Sequence, residues 1–223
     1  MIPESPARTP RHVFYLHGFA SSAQSKKAAY FGERLRAHGL VLRTPDFNQP
    51  SFETLTMTRM LEQTTAAIQD LEPGPIALIG SSLGAVVAIH MAGRMPDRIS
   101  RLVLLAPALT FARDGHSFLG QDRLARWKAN GSLDVFHFGY GGTRPLHYTF
   151  YEDSLKYDVL EVGVRQPVLI FQGLRDEAVD HRAVEKYAAT RPNVTLALLD
   201  DDHQLMASLS RIWDDMAPFF GLA

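Results

Sequence analysis

Cysteine is absent from the chain. That removes disulfides, thiolate metal ligands and thiol nucleophiles together, and it fits a reducing compartment. Neither sign of charge dominates: 23 lysines and arginines stand against 24 aspartates and glutamates, a formal net charge of −1. Without a basic field, neither nucleic acid nor an anionic membrane surface is an expected partner. No apolar stretch approaches the roughly 20 residues that span a bilayer. The first eleven residues carry three prolines and no apolar core, which is not the pattern of a secretory signal. The expectation is a soluble cytoplasmic protein.

What is there reads as an α/β chain. Short Val/Ile/Leu-rich runs occur at 12–16, 40–43, 76–79, 102–105, 168–171 and 194–199. They are nearly continuous in apolar character, as strands covered on both faces must be. Helical segments lie between and after them, at 26–37, 53–71, 83–94, 182–190 and 204–220. Repeated β-α units imply a parallel sheet with right-handed crossovers and helices on both faces. With 223 residues, no internal repeat and no linker, residues 1–223 are expected to form one domain. One stretch breaks the rhythm. Residues 106–166 are too many for a simple crossover, and about 111–160 read as an inserted lid. It offers a helix over 121–130 ended by Gly131. Two alternating runs follow, 134–138 and 146–150, joined by a turn with Gly139, Gly141 and Gly142.

The strongest local signal is Gly80-Ser81-Ser82-Leu83-Gly84, between a strand and a helix. That context makes it a nucleophile elbow with Ser82 at the centre. Glycines at 80 and 84 remove side chains that would collide across so tight a bend. The helix N-terminus favours negative charge developing beside the serine. Read without chemistry, the same pentapeptide is a glycine/serine turn capping a helix. A dinucleotide fingerprint is excluded, because G-x-G-x-x-G is missing.

A serine hydroxyl needs a base. Downstream of Ser82 stand His90, His116, His137, His147, His181 and His203. His203 follows the last strand, at the carboxyl edge of the sheet where the elbow also lies, and it is the expected base. The orienting acid should end the preceding strand. Asp176 is the first carboxylate there, with Glu177 and Asp180 as rivals. Asp180 has a second explanation as N-cap of the helix that follows. The run Asp200, Asp201, Asp202 reads as a solvated turn in which one member can hydrogen-bond the loop. Oxyanion donors are expected from the Leu83 amide and from the loop after the first strand, Leu16-His17-Gly18-Phe19. Gly18 lets that loop turn inward, and the Phe19 amide is the second donor.

These residues resemble the α/β-hydrolase superfamily, most of all its compact bacterial carboxylesterases. The matching motifs are Tyr15-Leu16-His17-Gly18-Phe19, Gly80-Ser81-Ser82-Leu83-Gly84, Gly173-Leu174-Arg175-Asp176-Glu177-Ala178-Val179 and Asp202-His203. The resemblance implies a three-layer α/β-hydrolase fold of about six mostly parallel strands, a Ser82–His203–Asp176 triad, and Phe19 and Leu83 as oxyanion donors. The two antiparallel strands that open larger members are expected to be missing. That leaves a sheet edge where a second copy could pair to form a homodimer. The implied reaction is hydrolysis of a small-molecule carboxylic ester through an acyl-enzyme, with no metal and no organic cofactor. His17, Gly18, Trp127, Phe138 and Tyr140 are expected to face the substrate. Thioesterase, acyltransferase or peptidase activity on the same triad, and a non-catalytic binding protein of this fold, stay open as alternatives. A dehalogenase or epoxide hydrolase is disfavoured, because those need a carboxylate at position 82.

Overall fold

A computed structural model describes residues 9–111, 113 and 120–222. Among them the order is β1 (His12–Leu16), α1 (Lys26–Ala37), β2 (Leu42–Arg43), α2 (Met57–Gln69), β3 (Ile76–Ser81), α3 (Leu83–Arg94) and β4 (Ile99–Leu105). The chain continues through α4 (Gln121–Asn130), β5 (Ser132–His137), β6 (Gly142–His147), α5 (Thr149–Ser154) and a short 3-10 turn at Val159–Glu161. It closes with β7 (Val168–Gly173), α6 (His181–Ala189), β8 (Val194–Leu199) and α7 (Leu209–Phe219). His116 lies outside the described residues.

Six strands form one parallel sheet in the order β2-β1-β3-β4-β7-β8. Alternate side chains of the central strands feed opposite cores. Phe14, Leu16, Leu78, Leu102, Leu104 and Ile170 pack with residues of α2, α3 and α6. Val13, Tyr15, Ala77, Ile79, Val103, Leu105 and Phe171 pack with residues of α1 and α7. The result is the three-layer arrangement expected. The outermost strand β8 is only half-buried, as an edge strand should be.

Between β4 and β7 the chain leaves the sheet. Here β5 and β6 form an antiparallel hairpin of their own, with Ser132 opposite His147 and His137 opposite Gly142. Three expected boundaries need correction. Residues 148–150 are not strand: Thr149 opens α5, and Phe150 turns into the core against Phe19 and Phe111. Helix α2 starts at Met57 and not near residue 53, because the Thr56 hydroxyl accepts the Arg59 amide at 3.1 Å and sets the cap there. Helix α7 starts at Leu209 and not at 204. The Asp202 side chain takes the Gln204 amide and that of Asp201 the Ser208 amide, which holds the intervening loop out of the helix.

The hairpin is fastened to the loop after β1. The amides of Phe138 and Gly139 both point at the Ala20 carbonyl, at 2.8 and 3.4 Å. His137 is fully buried. Its Nδ1 accepts from the Tyr140 amide at 3.1 Å, so its Nε2 carries the proton and donates to Asn48 Oδ1 at 3.0 Å. Asn48 in turn donates to the Ser21 carbonyl at 2.8 Å. Burial, helped by the nearby His17 and Arg144, lowers the basicity of His137 and keeps it neutral in this role.

Candidate active site

Ser82 stands between β3 and α3 with φ 53° and ψ −113°. A non-glycine residue held at positive φ stores strain, and such strain clusters at functional sites. Main-chain bonds hold the turn, among them one at 3.3 Å from the Ala108 amide to the Ser82 carbonyl. The Ser82 amide donates to the Leu105 carbonyl at 2.9 Å, and the Ser82 carbonyl accepts from Ala85 at 3.0 Å. Gly84 is obligatory: a Cβ there would lie 2.0 Å from the Leu16 carbonyl oxygen. Gly80 is equally confined, with the Ala85 Cα 2.6 Å from where its Cβ would be. The Ser82 side chain makes no helix-capping bond, so the reading of Ser82 as a mere cap has no contact to support it.

His203 Nε2 lies 3.1 Å from Ser82 Oγ, across 121 residues of sequence. Its Nδ1 lies 2.8 Å from Asp176 Oδ2. The Asp176 side chain is fully buried, while that of His203 is 22% exposed. Asp176 also accepts from the Ala178 and Val179 amides, each at 2.8 Å, and from Gln172 Nε2 at 2.9 Å. Burial opposes its ionisation. The His203 hydrogen bond and charge, the Val179 amide and Gln172 outweigh burial and hold the carboxyl below the ordinary 3.8. An ionised Asp176 accepts only, so Nδ1 of His203 must carry the proton. Nε2 is then the free acceptor, facing the serine hydroxyl.

The loop that carries His203 is shaped by Asp201, whose carboxylate takes the Asp202 and Ser208 amides at 2.8 and 2.9 Å. The rivals for the acid lie elsewhere. Asp180 caps α6 by accepting the Arg182 amide at 3.0 Å, and Glu177 is exposed.

Gly18 passes close over the elbow; a Cβ there would meet the Ser81 carbonyl oxygen at 3.1 Å and Ser82 Cβ at 3.3 Å. Among the described residues, the amides of Phe19 and Leu83 donate to no protein acceptor. Buried or half-buried main-chain amides are rarely left so. The Phe19 ring is braced by Phe150 at 5.3 Å and Phe52 at 5.6 Å.

The expected substrate-facing side chains divide. His17 is buried and both its nitrogens are taken: Nδ1 donates to the Gly18 carbonyl at 2.9 Å and Nε2 accepts the Phe47 amide at 3.0 Å. It shapes the loop in place of facing a ligand. Trp127 likewise serves the framework, buried under the hairpin with its Nε1 donating to the Leu146 carbonyl at 2.8 Å. Phe138 is 73% exposed and meets Phe136 edge-on. Tyr140 stacks on His137 at 4.0 Å at the hairpin end. Gln172, Asp201 and Asn48 support the site but carry no recognisable motif. Their partners lie on other segments or in loops whose shape no pattern announces.

A family model described as uncharacterised protein family UPF0227 matches residues 12–220. Palmitoyl-protein thioesterase ABHD10, mitochondrial, of Rattus norvegicus is 22% identical over 183 residues, covering 78% of this chain and 61% of the relative. The chain thus spans about three fifths of that relative's length. A crystal structure from Agrobacterium vitis S4 superposes with a TM-score of 0.84 at 24% identity, covering 97% of this chain and 91% of the other. Est1E from Butyrivibrio proteoclasticus superposes with a TM-score of 0.77 at 21% identity, covering 98% and 90%.

Proposed function

The chain belongs to the uncharacterised protein family UPF0227 and has the α/β-hydrolase fold, and on that footing we propose that it hydrolyses carboxylic esters with Ser82 as nucleophile. His203 is the general base and acid, and Asp176 the orienting carboxylate. One observation carries the reading: an unbroken line from Asp176 through His203 to a strained serine, with contacts of 2.8 and 3.1 Å.

In the proposed cycle His203 Nε2 takes the Ser82 proton as Oγ attacks the acyl carbon. The carbonyl oxygen gains negative charge and is held by the Leu83 and Phe19 amides. His203 then gives its proton to the leaving alkoxide, and the C–O bond of the ester breaks. Water, deprotonated by the same imidazole, attacks the acyl-enzyme and releases the acid. Asp176 stabilises the imidazolium at both stages. The chain acts as one domain, in which the described part of the insertion, 120–160, covers the acyl group. The stacking of Phe19 on Phe150 supports this, because it joins the oxyanion loop to the insertion.

A thioester is the second reading, favoured by the likeness to a relative named as a palmitoyl-protein thioesterase. The same cycle serves it with a thiolate as leaving group. The test is Ser82→Ala. It is expected to abolish turnover of p-nitrophenyl butyrate and of a matched butyryl thioester while leaving the melting temperature within a few degrees. Comparable turnover by this variant rejects the nucleophile, and the ester-to-thioester ratio of the parent ranks the two substrates.

A further inference from the structure

Lys27 is a buried cation that the cycle above leaves unused. It lies in the first turn of α1, on the face that also buries Ala28, Phe31 and Leu35. Only 7% of it is exposed. Its ammonium donates to the Gln204 carbonyl at 3.0 Å, across 177 residues of sequence. Gln204 adjoins His203. The charges facing it come from two loops: Asp202 and Asp201 after β8, and Asp176 after β7. The phenol of Tyr15 on β1, bonded to Ser25 and Ser81 beside the start of α1, is held neutral by its burial.

Burying an ammonium is costly unless charge and hydrogen bonds compensate it. A methionine would fill the same space without that cost. Lys27 also has a lowered basicity: burial pulls it to about 8, against the raising effect of Asp202, Asp176 and Asp201. So expensive a group, bonded to the carbonyl of the residue next to His203, calls for a reason beyond packing.

We infer that Lys27 is a positioning residue: its charged ammonium clamps the acidic loop that carries His203 against α1 and so fixes the imidazole on Ser82. The inference rests on the ester-hydrolase reading. Asp201 and Asp202 in that loop and Asp176 in the neighbouring one lie within reach of the Lys27 charge, while Asp200 is exposed and pairs with Arg175 at 3.3 Å. The cation attracts Asp201, Asp202 and Asp176 and draws the His203 loop towards α1. Once deprotonated, Lys27 can still donate to Gln204 but no longer attracts the carboxylates. Small displacements between reacting groups cost rate more than they cost binding, so the effect falls on kcat and spares KM.

The test compares kcat and KM of the parent and Lys27→Met with p-nitrophenyl butyrate at pH 7 and pH 9.5, spontaneous hydrolysis subtracted. Other titrations cancel in the ratio of the two proteins. At pH 7 the parent should exceed Lys27→Met in kcat by about 10- to 100-fold. At pH 9.5, where the parent has also lost its charge, the ratio should fall to within about threefold. Lys27→Arg keeps the charge at both pH values and should hold its activity; if circular dichroism shows that it does not fold, the ratio for Lys27→Met decides alone. A ratio near one at pH 7, or one that does not change with pH, overturns the inference and leaves the hydrolase reading standing. A parent that neither turns over esters nor takes a fluorophosphonate label on Ser82 overturns both.

Discussion

Replacing Asp176 by asparagine removes one charge and almost no volume, and the structure dictates how the new side chain must sit. Oδ1 accepts the Ala178 and Val179 amides, so the asparagine oxygen must stay there and its NH₂ must take the place of Oδ2. That NH₂ then faces His203 Nδ1, which now donates. Two donors cannot share one contact, so the imidazole must shift its proton to Nε2. It then presents N–H to the Ser82 hydroxyl and can no longer take its proton. A tautomer forced into the wrong form at such a triad costs roughly 10⁴-fold in kcat, about 5 kcal/mol of barrier. Stability suffers far less. Gln172 also donates to Oδ2, and its own Oε1 is buried without a partner, so turning its amide over gives the new NH₂ an acceptor at the expense of the bond from Nε2 to the Gly173 carbonyl. The expected destabilisation near neutral pH is about 1–2 kcal/mol. The sign of its pH dependence follows from the lowered Asp176 value. The parent's advantage is full above the unfolded value of about 3.9 and disappears as pH falls through the still lower folded value. The assay is steady-state hydrolysis of p-nitrophenyl butyrate at pH 7.5 beside urea unfolding. Asp180→Asn, which keeps a good helix cap, is the control and should stay within about twofold of the parent. An Asp176→Asn enzyme within tenfold of the parent, or a larger loss in Asp180→Asn, refutes the assignment.

Two further outcomes concern stability. Gly84→Ala drives a Cβ into the Leu16 carbonyl and should cost at least about 2–3 kcal/mol in urea unfolding, whereas Gly163→Ala meets nothing within 4 Å and should stay within about 0.5 kcal/mol; equal effects would contradict the close approach of α3 to β1. Because Lys27 is lowered from 10.5 to about 8, the folded chain binds fewer protons than the unfolded one between those values, so the parent should gain about 2 kcal/mol over Lys27→Met between pH 7 and 9.5. Parallel stability curves for the two proteins would show that the cation is not buried at a cost.

Much of the architecture is legible because parallel strands buried on both faces must be apolar throughout, and the runs at 76–79, 102–105 and 168–171 are. The meeting of Ser82, Asp176 and His203 is legible for a related reason: each follows a strand of one parallel sheet, so all three emerge at the same edge. What stays hidden is decided across distance. Residues 148–150 have strand composition, but Phe150 finds Phe19 and Phe111, and packing overrides propensity. His137 meets Asn48 across 89 residues, with no spacing to announce it. Trp127 and His17 look like pocket residues by type, yet their polar atoms are consumed by Leu146, Phe47 and Gly18. Lys27 left one trace, a charged residue on the face of α1 that buries Ala28, Phe31 and Leu35.

The fastening of the hairpin to Ala20, Ser21 and Asn48 has a consequence for anyone who would redesign this protein. Exchanging residues 132–147 for a foreign sequence would discard His137 with its bond to Asn48, and the turn that aims the Phe138 and Gly139 amides at Ala20. The loop that carries Phe19 would lose its fastening at Ala20. The hairpin and the loop after β1 are therefore not separable modules here, and an exchanged hairpin must bring its own replacement for that grip.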